Sequence, residues 1–274
     1  MVKRKHYRKK SSHIEVLLII CVILIISLSI IIAWVTLGKV EKDAPDENRP
    51  WDYDSSSDQI LSSDTIIGTA ATSEKETQSA VKLNVRAICQ YPELPTGCEA
   101  TAAVMALNYL GASVYLEPFA NLLPQQPLTN NENRSQGPDP NVSFVGDPHK
   151  ETGSFGCFEQ VIIKTVNEHY PAYYAQKVNG SIDDLCSYID AGYPVLIWTT
   201  MELQEIRRVT TWTLPDGSSF TWPGREHCML LVGYDDFYYY FNDPRNGECV
   251  AYDKSLSELR FEEMGSRAVV ITPA

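Results

Sequence analysis

One stretch, residues 90–105, constrains the fold more than any other part of the chain. Its sequence, QYPELPTGCEATAAVM, predicts an extended segment, a tight turn at Thr96 and Gly97, and then an alanine-rich helix. The helix is predicted to begin at Cys98 and to end near Gly111. A cysteine in the first turn of a helix lies at the positive end of the backbone dipoles, which favours the thiolate. Because the thiolate is the nucleophilic form, this placement predicts covalent catalysis at Cys98.

Gln90 lies eight positions before Cys98, on the extended side of the turn. On that side its amide can face the same pocket as the thiol. We therefore expect Gln90 to donate a hydrogen bond to the oxyanion that forms when a thiolate attacks a carbonyl.

A second stretch, residues 226–235 (EHCMLLVGYD), contains the candidate base. His227 opens an apolar strand 129 positions after Cys98, and papain-type histidines follow their cysteine by roughly 130–150 positions. The next strand ends in Asn-Asp-Pro and is predicted to pair antiparallel with the first. This pairing places Asp243 opposite the start of the His227 strand, so its carboxylate can hold one ring nitrogen while the other nitrogen faces Cys98.

Together these stretches resemble the peptidase C39-like family of papain-type cysteine peptidases, in its bacterial surface branch. The resemblance is carried by Pro-Glu-Leu-Pro-Thr-Gly-Cys-Glu, by Asn-Tyr-Leu-Gly at the helix end, and by the histidine strand with its Asn-Asp-Pro partner. It implies an α+β fold whose N-terminal helical part carries the cysteine and whose C-terminal antiparallel sheet carries the histidine and aspartate. By position it implies Gln90 as the oxyanion glutamine, Cys98 as the nucleophile, His227 as the base and Asp243 as the orienting acid.

The resemblance leaves the substrate open. Well-known C39 peptidases are attached to ABC exporters and cut leader peptides after a double glycine, whereas this sequence has no nucleotide-binding loop. The first expectation is a cysteine peptidase that hydrolyses peptide or amide bonds through a thioester on Cys98. A catalytically silent module that binds peptides or cell wall, a peptidoglycan amidase or endopeptidase, and a transamidating enzyme remain as alternatives. The sequence does not predict the oligomeric state.

The N-terminal part of the chain predicts a membrane anchor. Residues 1–13 are basic, and residues 14–38 include an apolar run long enough for a transmembrane helix, which needs roughly 20 residues. A cleaved signal peptide is the alternative, but its apolar region is usually about 7–15 residues long. The basic flank keeps the N-terminus cytoplasmic. We therefore expect residues 39–80, which are acidic and rich in serine and threonine, to form an exterior stalk, and residues 81–274 to form the exterior peptidase domain.

Charge and cysteine content restrict the ligands. After residue 40 the chain has 34 acidic and 16 basic residues, which argues against nucleic acid as a partner because phosphate binding needs a basic surface. The histidines and cysteines lack the paired spacing of zinc sites, so no metal or cofactor is expected. The chain contains seven cysteines, and no disulfide pairing is predicted from their spacing.

Residues 129–153 are rich in asparagine, proline, glycine and aspartate. We interpret this segment as a long polar loop that forms a flap beside the active site. His149 falls within it and is expected to be a surface residue.

Overall fold

The computed structural model describes residues 80–131, 134–207 and 210–274. The helices are α1 (Cys98–Tyr109), α2 (Leu116–Ala120), α3 (Glu159–His169), α4 (Ile182–Asp190) and α5 (Lys254–Glu263). The strands are β1 (Val81–Lys82), β2 (Gln125–Gln126), β3 (Thr129–Asn131), β4 (Arg134–Gln136), β5 (Phe144–Val145), β6 (Tyr173–Val178), β7 (Val195–Thr200), β8 (Thr210–Thr213), β9 (Ser219–Trp222), β10 (Glu226–Tyr234), β11 (Tyr238–Asp243), β12 (Glu248–Asp253) and β13 (Ala268–Pro273).

A seven-stranded antiparallel sheet forms the centre of this mixed α/β fold. Its strand order is β12-β11-β10-β7-β13-β6, and β1 also pairs with β10. The middle strands β7 and β10 are buried along almost their whole length, as their continuous apolar sequences predict. Gly233 lets β1 approach β10 closely, since a Cβ atom there would lie 2.5 Å from the carbonyl oxygen of Val81.

The two faces of the sheet belong to two separate hydrophobic cores. Alternate residues of β10 point to opposite faces. Cys228, Leu230 and Val232 pack in the core that contains α1 and α3. Met229 and Leu231 pack in the core that contains α4 and α5. The central strand is therefore covered by helices on both sides.

Helix α1 is buried along its first ten residues, Cys98–Leu107. Four of these residues are alanines, and small side chains allow a helix to be surrounded by other elements on all sides. The helix begins at Cys98, with Gly97 as its N-cap, and it ends before Gly111, which has a φ of +97°. The predicted beginning and end of this helix are confirmed.

The prediction of one long polar loop at residues 129–153 is wrong. This segment contains β3, β4 and β5, and β3 and β4 join β8 and β9 in a second sheet of order β3-β4-β8-β9. The buried indole of Trp212 donates a hydrogen bond to the carbonyl oxygen of Pro138 at 3.0 Å. This long-range contact packs the segment against β8, and its polar composition alone does not reveal that partner.

The same segment does lie beside the turn that precedes α1. The backbone N–H of Thr96 donates to the carbonyl oxygen of Pro148 at 3.3 Å. His149 is partly exposed, and its Nδ1 lies 2.9 Å from the Asp147 carboxylate.

Among the described residues, no helix combines the length and the apolar character that crossing a membrane requires. The predicted transmembrane helix at 14–38 and the basic tail at 1–13 lie outside the described residues, as does the predicted stalk up to residue 79.

Candidate active site

A tight turn presents Cys98 at the start of α1. The N–H of Gly97 donates to the carbonyl oxygen of Leu94 at 3.0 Å, and the N–H of Leu94 donates to the carbonyl oxygen of Gln90 at 2.7 Å. A Cβ atom at Gly97 would lie 2.9 Å from the Cβ of Leu94, which is fully buried. Only glycine fits at this position, so the Gly-Cys order follows from the packing of the turn.

The thiol of Cys98 is buried, and its polar contacts come from two elements. Its Sγ lies 3.3 Å from Oε2 of Glu99 and accepts the backbone N–H of Cys228 at 3.4 Å. Burial, together with the charges of Glu99 and Glu226, raises the pKa of the Cys98 thiol well above its usual value, although the Cys228 N–H opposes this shift. Burial and the two carboxyl groups therefore act against the predicted effect of the helix terminus, and a thiolate at Cys98 stays a prediction.

His227 and Asp243 form a buried pair. Nε2 of His227 lies 2.7 Å from Oδ1 of Asp243, and the two residues are 1% and 3% exposed. The same Oδ1 accepts the backbone N–H of Arg245 at 2.8 Å. Burial would raise the pKa of Asp243, but the charge and hydrogen bond of His227 and the Arg245 N–H outweigh it and hold this pKa below its usual value. Asp243 is thus placed to fix the orientation of the imidazole.

His227 and Cys228, the residue whose N–H contacts the thiol, are neighbours on β10. Because Nε2 of His227 is bound to Asp243, Nδ1 is the ring nitrogen left for another partner. Cys228, the next residue along the strand, donates its N–H to the sulfur of Cys98. Within the described residues, no direct hydrogen bond joins the imidazole to the thiol, whose polar partners are Glu99 and Cys228.

Gln90 is buried next to the other residues, but its amide group is turned inward. Its Nε2 donates to the carbonyl oxygens of Leu94 at 3.1 Å and Pro95 at 2.8 Å. Its backbone N–H donates to the carbonyl oxygen of Pro244, directly after Asp243, at 2.7 Å. In this conformation Gln90 fixes the turn to the end of β11, and the role at the oxyanion stays a prediction.

Two buried carboxyl groups complete the surroundings of the thiol. Glu99 is fully buried and its Oε1 accepts the backbone N–H of Cys157 at 2.6 Å. Glu226 is 5% exposed, and its Oε1 has no hydrogen-bond partner in the described part of the chain. Ligand atoms of Cys98, Glu99 and Glu226 lie within 4.8 Å of one another, so among the described residues these three are the set that could hold a metal ion.

The pKa values of both carboxyl groups are raised. Burial raises the pKa of Glu99 to about 7, against the opposing hydrogen bonds of Cys157, of its own N–H and of Cys98. Burial and the charge of Glu99 raise the pKa of Glu226 well above its usual value, against the opposing charge of Arg267. Two carboxyl groups this close in a dry environment cannot both be ionised at low cost.

Backbone strain is concentrated beside the same strand. Glu202, Leu203 and Arg225 have φ values of 55°, 52° and 67°, in the left-handed region that residues with side chains rarely adopt. The N–H of Met201 donates to the carbonyl oxygen of Arg225 at 2.9 Å and joins the two strained segments. Arg225 directly precedes the strand that carries His227, and strained backbone is often found at functional sites.

Similarity to known proteins agrees with this geometry. A model of the Peptidase_C39 like family matches residues 82–269, a range that includes α1, β10 and β11. The chain belongs to the Peptidase_C39 like family. It is 33% identical over 213 residues to the uncharacterized protein YvpB of Bacillus subtilis (strain 168), which covers 76% of this chain and 83% of that protein. The crystal structure of a candidate C39-like peptidase from Bacillus anthracis is similar, with a TM-score of 0.64, 29% identity, and coverage of 72% of this chain and 99% of that one.

The sequence interpretation of this C39-like chain missed Glu99 and Glu226 as parts of the site. Each directly adjoins a predicted site residue, Cys98 or His227, but neither was assigned a role. The sequence does contain a signal for them, which is an acidic residue inside an otherwise apolar segment that is predicted to be buried. Because burying an unpaired charge is costly, such a residue indicates a functional role. Glu99 interrupts an alanine-rich helix and Glu226 opens a buried strand.

We predict that the raised carboxyl pKa values make stability depend on pH. An acid whose pKa is raised by folding binds a proton that the unfolded chain releases, so this contribution to stability is lost as pH rises from about 4.5 to 7 and above. The double variant Glu99→Gln with Glu226→Gln removes both groups. The unfolding free energy of the wild type, measured relative to this variant by urea titration, should therefore fall by on the order of 2 kcal/mol between pH 5 and pH 8. A constant difference across that range would contradict the assignment.

Proposed function

We propose that this chain is a cysteine peptidase that hydrolyses an amide bond in a peptide through a thioester on Cys98. The observation that supports it best is the arrangement on β10. A buried His227–Asp243 pair adjoins the N–H group that contacts the thiol of Cys98, and that thiol stands at the start of a buried helix. This is the nucleophile, base and orienting group that acyl transfer needs, with each group on a different rigid element.

In the proposed reaction, Nδ1 of His227 accepts the proton of the Cys98 thiol. The sulfur then attacks the carbonyl carbon of the substrate, and the first-turn N–H of Cys98 donates to the developing oxyanion. When the tetrahedral intermediate collapses, His227 gives its proton to the leaving amine and the acyl group remains on sulfur as a thioester. A water molecule, deprotonated by His227, attacks the thioester carbon. The C–S bond then breaks, the acid is released, and His227 returns the proton to the sulfur of Cys98.

Asp243 acts through His227 in this reaction. Its carboxylate accepts the Nε2 proton, keeps Nδ1 towards the sulfur and stabilises the imidazolium that forms. Gln90 would take part at the oxyanion only if its amide leaves the two carbonyl groups that it binds in this structure.

A catalytically silent module for binding peptides is the second candidate function. It is favoured by one observation: Glu99 accepts the thiol hydrogen, and burial with the charge of Glu99 raises the pKa of the Cys98 thiol. A peptidoglycan amidase would use the same residues on a different amide bond, so the choice between these enzymes depends on the substrate.

Substrate cleavage tests the proposal. The full chain, purified in a mild detergent, is incubated separately with a mixture of peptides and with purified cell wall, and mass spectrometry identifies newly formed amino termini. We expect cleavage by the wild type, none by Cys98→Ala or His227→Ala, and a loss of about 10⁴-fold for Asp243→Asn, whose amide holds the wrong tautomer of the imidazole. Cys249→Ala, which removes an exposed thiol, is the control and should keep full activity.

Each other outcome has a defined meaning. Cleavage that survives in Cys98→Ala would contradict the proposal. Binding of peptides with no turnover would favour the silent module. Release of amino groups from cell wall alone would favour the amidase.

We also propose that residues 14–38 anchor the chain in the membrane, that residues 39–80 form a stalk, and that the domain at 81–274 faces the exterior. The support is the order of basic, apolar and acidic segments in the sequence. A protease added to intact cells should remove the domain from the cells. Protection of the domain until the cells are lysed would contradict the proposed orientation.

A further inference from the structure

An ion pair lies at the end of the sheet where His227 begins the apolar part of β10. The strands β7 and β11 flank β10, and Thr199 of β7 lies opposite His227. Glu202 lies just after β7, and Arg245 lies just after β11. Nη1 of Arg245 is 2.8 Å from Oε1 of Glu202. The segments that follow the two flanking strands therefore meet at the end of β10 that carries the proposed base, and the proposed reaction uses neither of these charged side chains.

The backbone of Arg245 is bonded to the proposed orienting acid. Oδ1 of Asp243 accepts the N–H of Arg245 at 2.8 Å and also lies 2.7 Å from Nε2 of His227. Because one oxygen contacts both residues, Arg245 lies on the imidazole side of the site. This side has a defined role in the proposed reaction, since His227 gives its proton to the leaving amine. The leaving half of a substrate therefore lies on the side of Arg245.

Tyr91 adds a hydroxyl group to the same region. It follows Gln90 in the turn before α1, and it is 36% exposed. Burial raises the pKa of Tyr91, the charge of Arg245 lowers it, and the charges of Cys98 and Asp243 add to the rise. The phenol is therefore within electrostatic range of both the guanidinium and the sulfur. A phenol O–H and a guanidinium are both hydrogen-bond donors, which is the combination that a carboxylate accepts.

Glu202 is a replaceable partner for the guanidinium. Its side chain is 53% exposed, whereas that of Arg245 is 18% exposed, and water weakens an ion pair with an exposed partner. The backbone around Glu202 is held in place, because the carbonyl oxygen of buried Leu203 accepts Nε of Arg260 at 2.9 Å. The carboxylate of Glu202 can therefore rotate into water while the backbone next to it stays fixed.

We propose that Arg245 binds a carboxylate in the leaving half of a peptide substrate, and that Glu202 occupies this position in the free protein. The inference rests on the proposed function, since it assigns a substrate class to the same site. A guanidinium binds a carboxylate through charge-assisted hydrogen bonds, and the O–H of Tyr91 is a further donor. One carboxylate replaces another when the substrate binds, so the half-buried guanidinium keeps a counter-ion throughout. The substrate class is a peptide with an aspartate, a glutamate or a free C-terminal carboxyl group just after the cleaved bond.

Two thiol reagents of the same shape test this inference without a substrate. Iodoacetate and iodoacetamide both alkylate a thiolate, but only iodoacetate carries a carboxylate. The full chain in mild detergent, with a chelator present, is labelled with each reagent at one pH, and mass spectrometry quantifies the peptide that contains Cys98. The ratio of the two rate constants, iodoacetate over iodoacetamide, reports the preference for a carboxylate beside the sulfur. The fraction of thiolate cancels in this ratio.

We expect the ratio to fall by at least about fivefold in Arg245→Gln, since opposite charges at contact distance attract by roughly that factor even in water. The backbone N–H that Asp243 accepts is unchanged in this variant. Glu202→Gln removes the competing carboxylate and should raise the ratio. Arg245→Lys keeps the charge and should give a ratio closer to the wild type than to Arg245→Gln. Lys164→Gln removes one positive charge from the exposed face of α3 and is the matched control, whose ratio should not change.

Three labelling results would overturn the inference. They are an unchanged ratio in Arg245→Gln, an equal fall in Lys164→Gln, which would reflect net charge alone, and a ratio that does not rise in Glu202→Gln. If Arg245→Gln does not fold by circular dichroism, Glu202→Gln decides the question, because its side chain is exposed.

The sites of peptide cleavage test the substrate class separately. In the peptide mixture, the wild type should cut mainly where a carboxylate follows within about two residues, and Arg245→Gln should still cut but lose this preference. Cleavage by the wild type without such a preference would overturn the inference and leave the peptidase supported. A changed labelling ratio without any cleavage would support the carboxylate site and count against the peptidase.

Discussion

The candidate site depends on the antiparallel pairing of β10 with its neighbours. Pairing with β11 aligns Leu230 with Asn242, which brings the side chains of His227 and Asp243 to one face and lets them meet at 2.7 Å. On the same strand, the N–H of Cys228 contacts the sulfur of Cys98 at 3.4 Å. A slip of one residue in this register would turn every side chain of β10 to the opposite face and separate the three groups. The sheet therefore positions His227, Asp243 and the N–H of Cys228, and the helix supplies the proposed nucleophile.

Features set by local pattern and by strand pairing could be predicted from the sequence. The start of α1 at Cys98 could be predicted because the turn residues and the alanine-rich periodicity agree. The contact between His227 and Asp243 could be predicted because a short hairpin fixes its own register to within a residue or two, and the register here includes an irregularity between Leu231 and Gly233.

Features that depend on distant contacts could not be predicted. The strands within residues 129–153 depend on packing against Trp212, and the inward turn of the Gln90 amide depends on carbonyl groups that the tight turn exposes.

The electrostatics of the thiol show the same limit. A helix N-terminus favours a thiolate, and from the sequence alone that was the dominant effect on Cys98. The structure adds burial and the ionisable neighbours Glu99 and Glu226. These effects raise the pKa of the thiol and so act in the opposite direction to the helix terminus. The fold thus contains the proposed nucleophile, base and orienting acid, while burial and the neighbouring carboxyl groups raise the pKa of the proposed nucleophile.

The central claim is that His227 activates Cys98. The most direct test measures how iodoacetamide labelling depends on pH in the wild type and in His227→Ala. Cys98→Ala identifies the labelled peptide. Removing the imidazole takes away the group that accepts the thiol proton and pairs with the thiolate. The account predicts that Cys98 is labelled in the wild type and that the midpoint moves to higher pH in His227→Ala, with at least tenfold slower labelling near neutral pH. Identical labelling curves for the two proteins would contradict it, because the thiol would then ionise without the histidine.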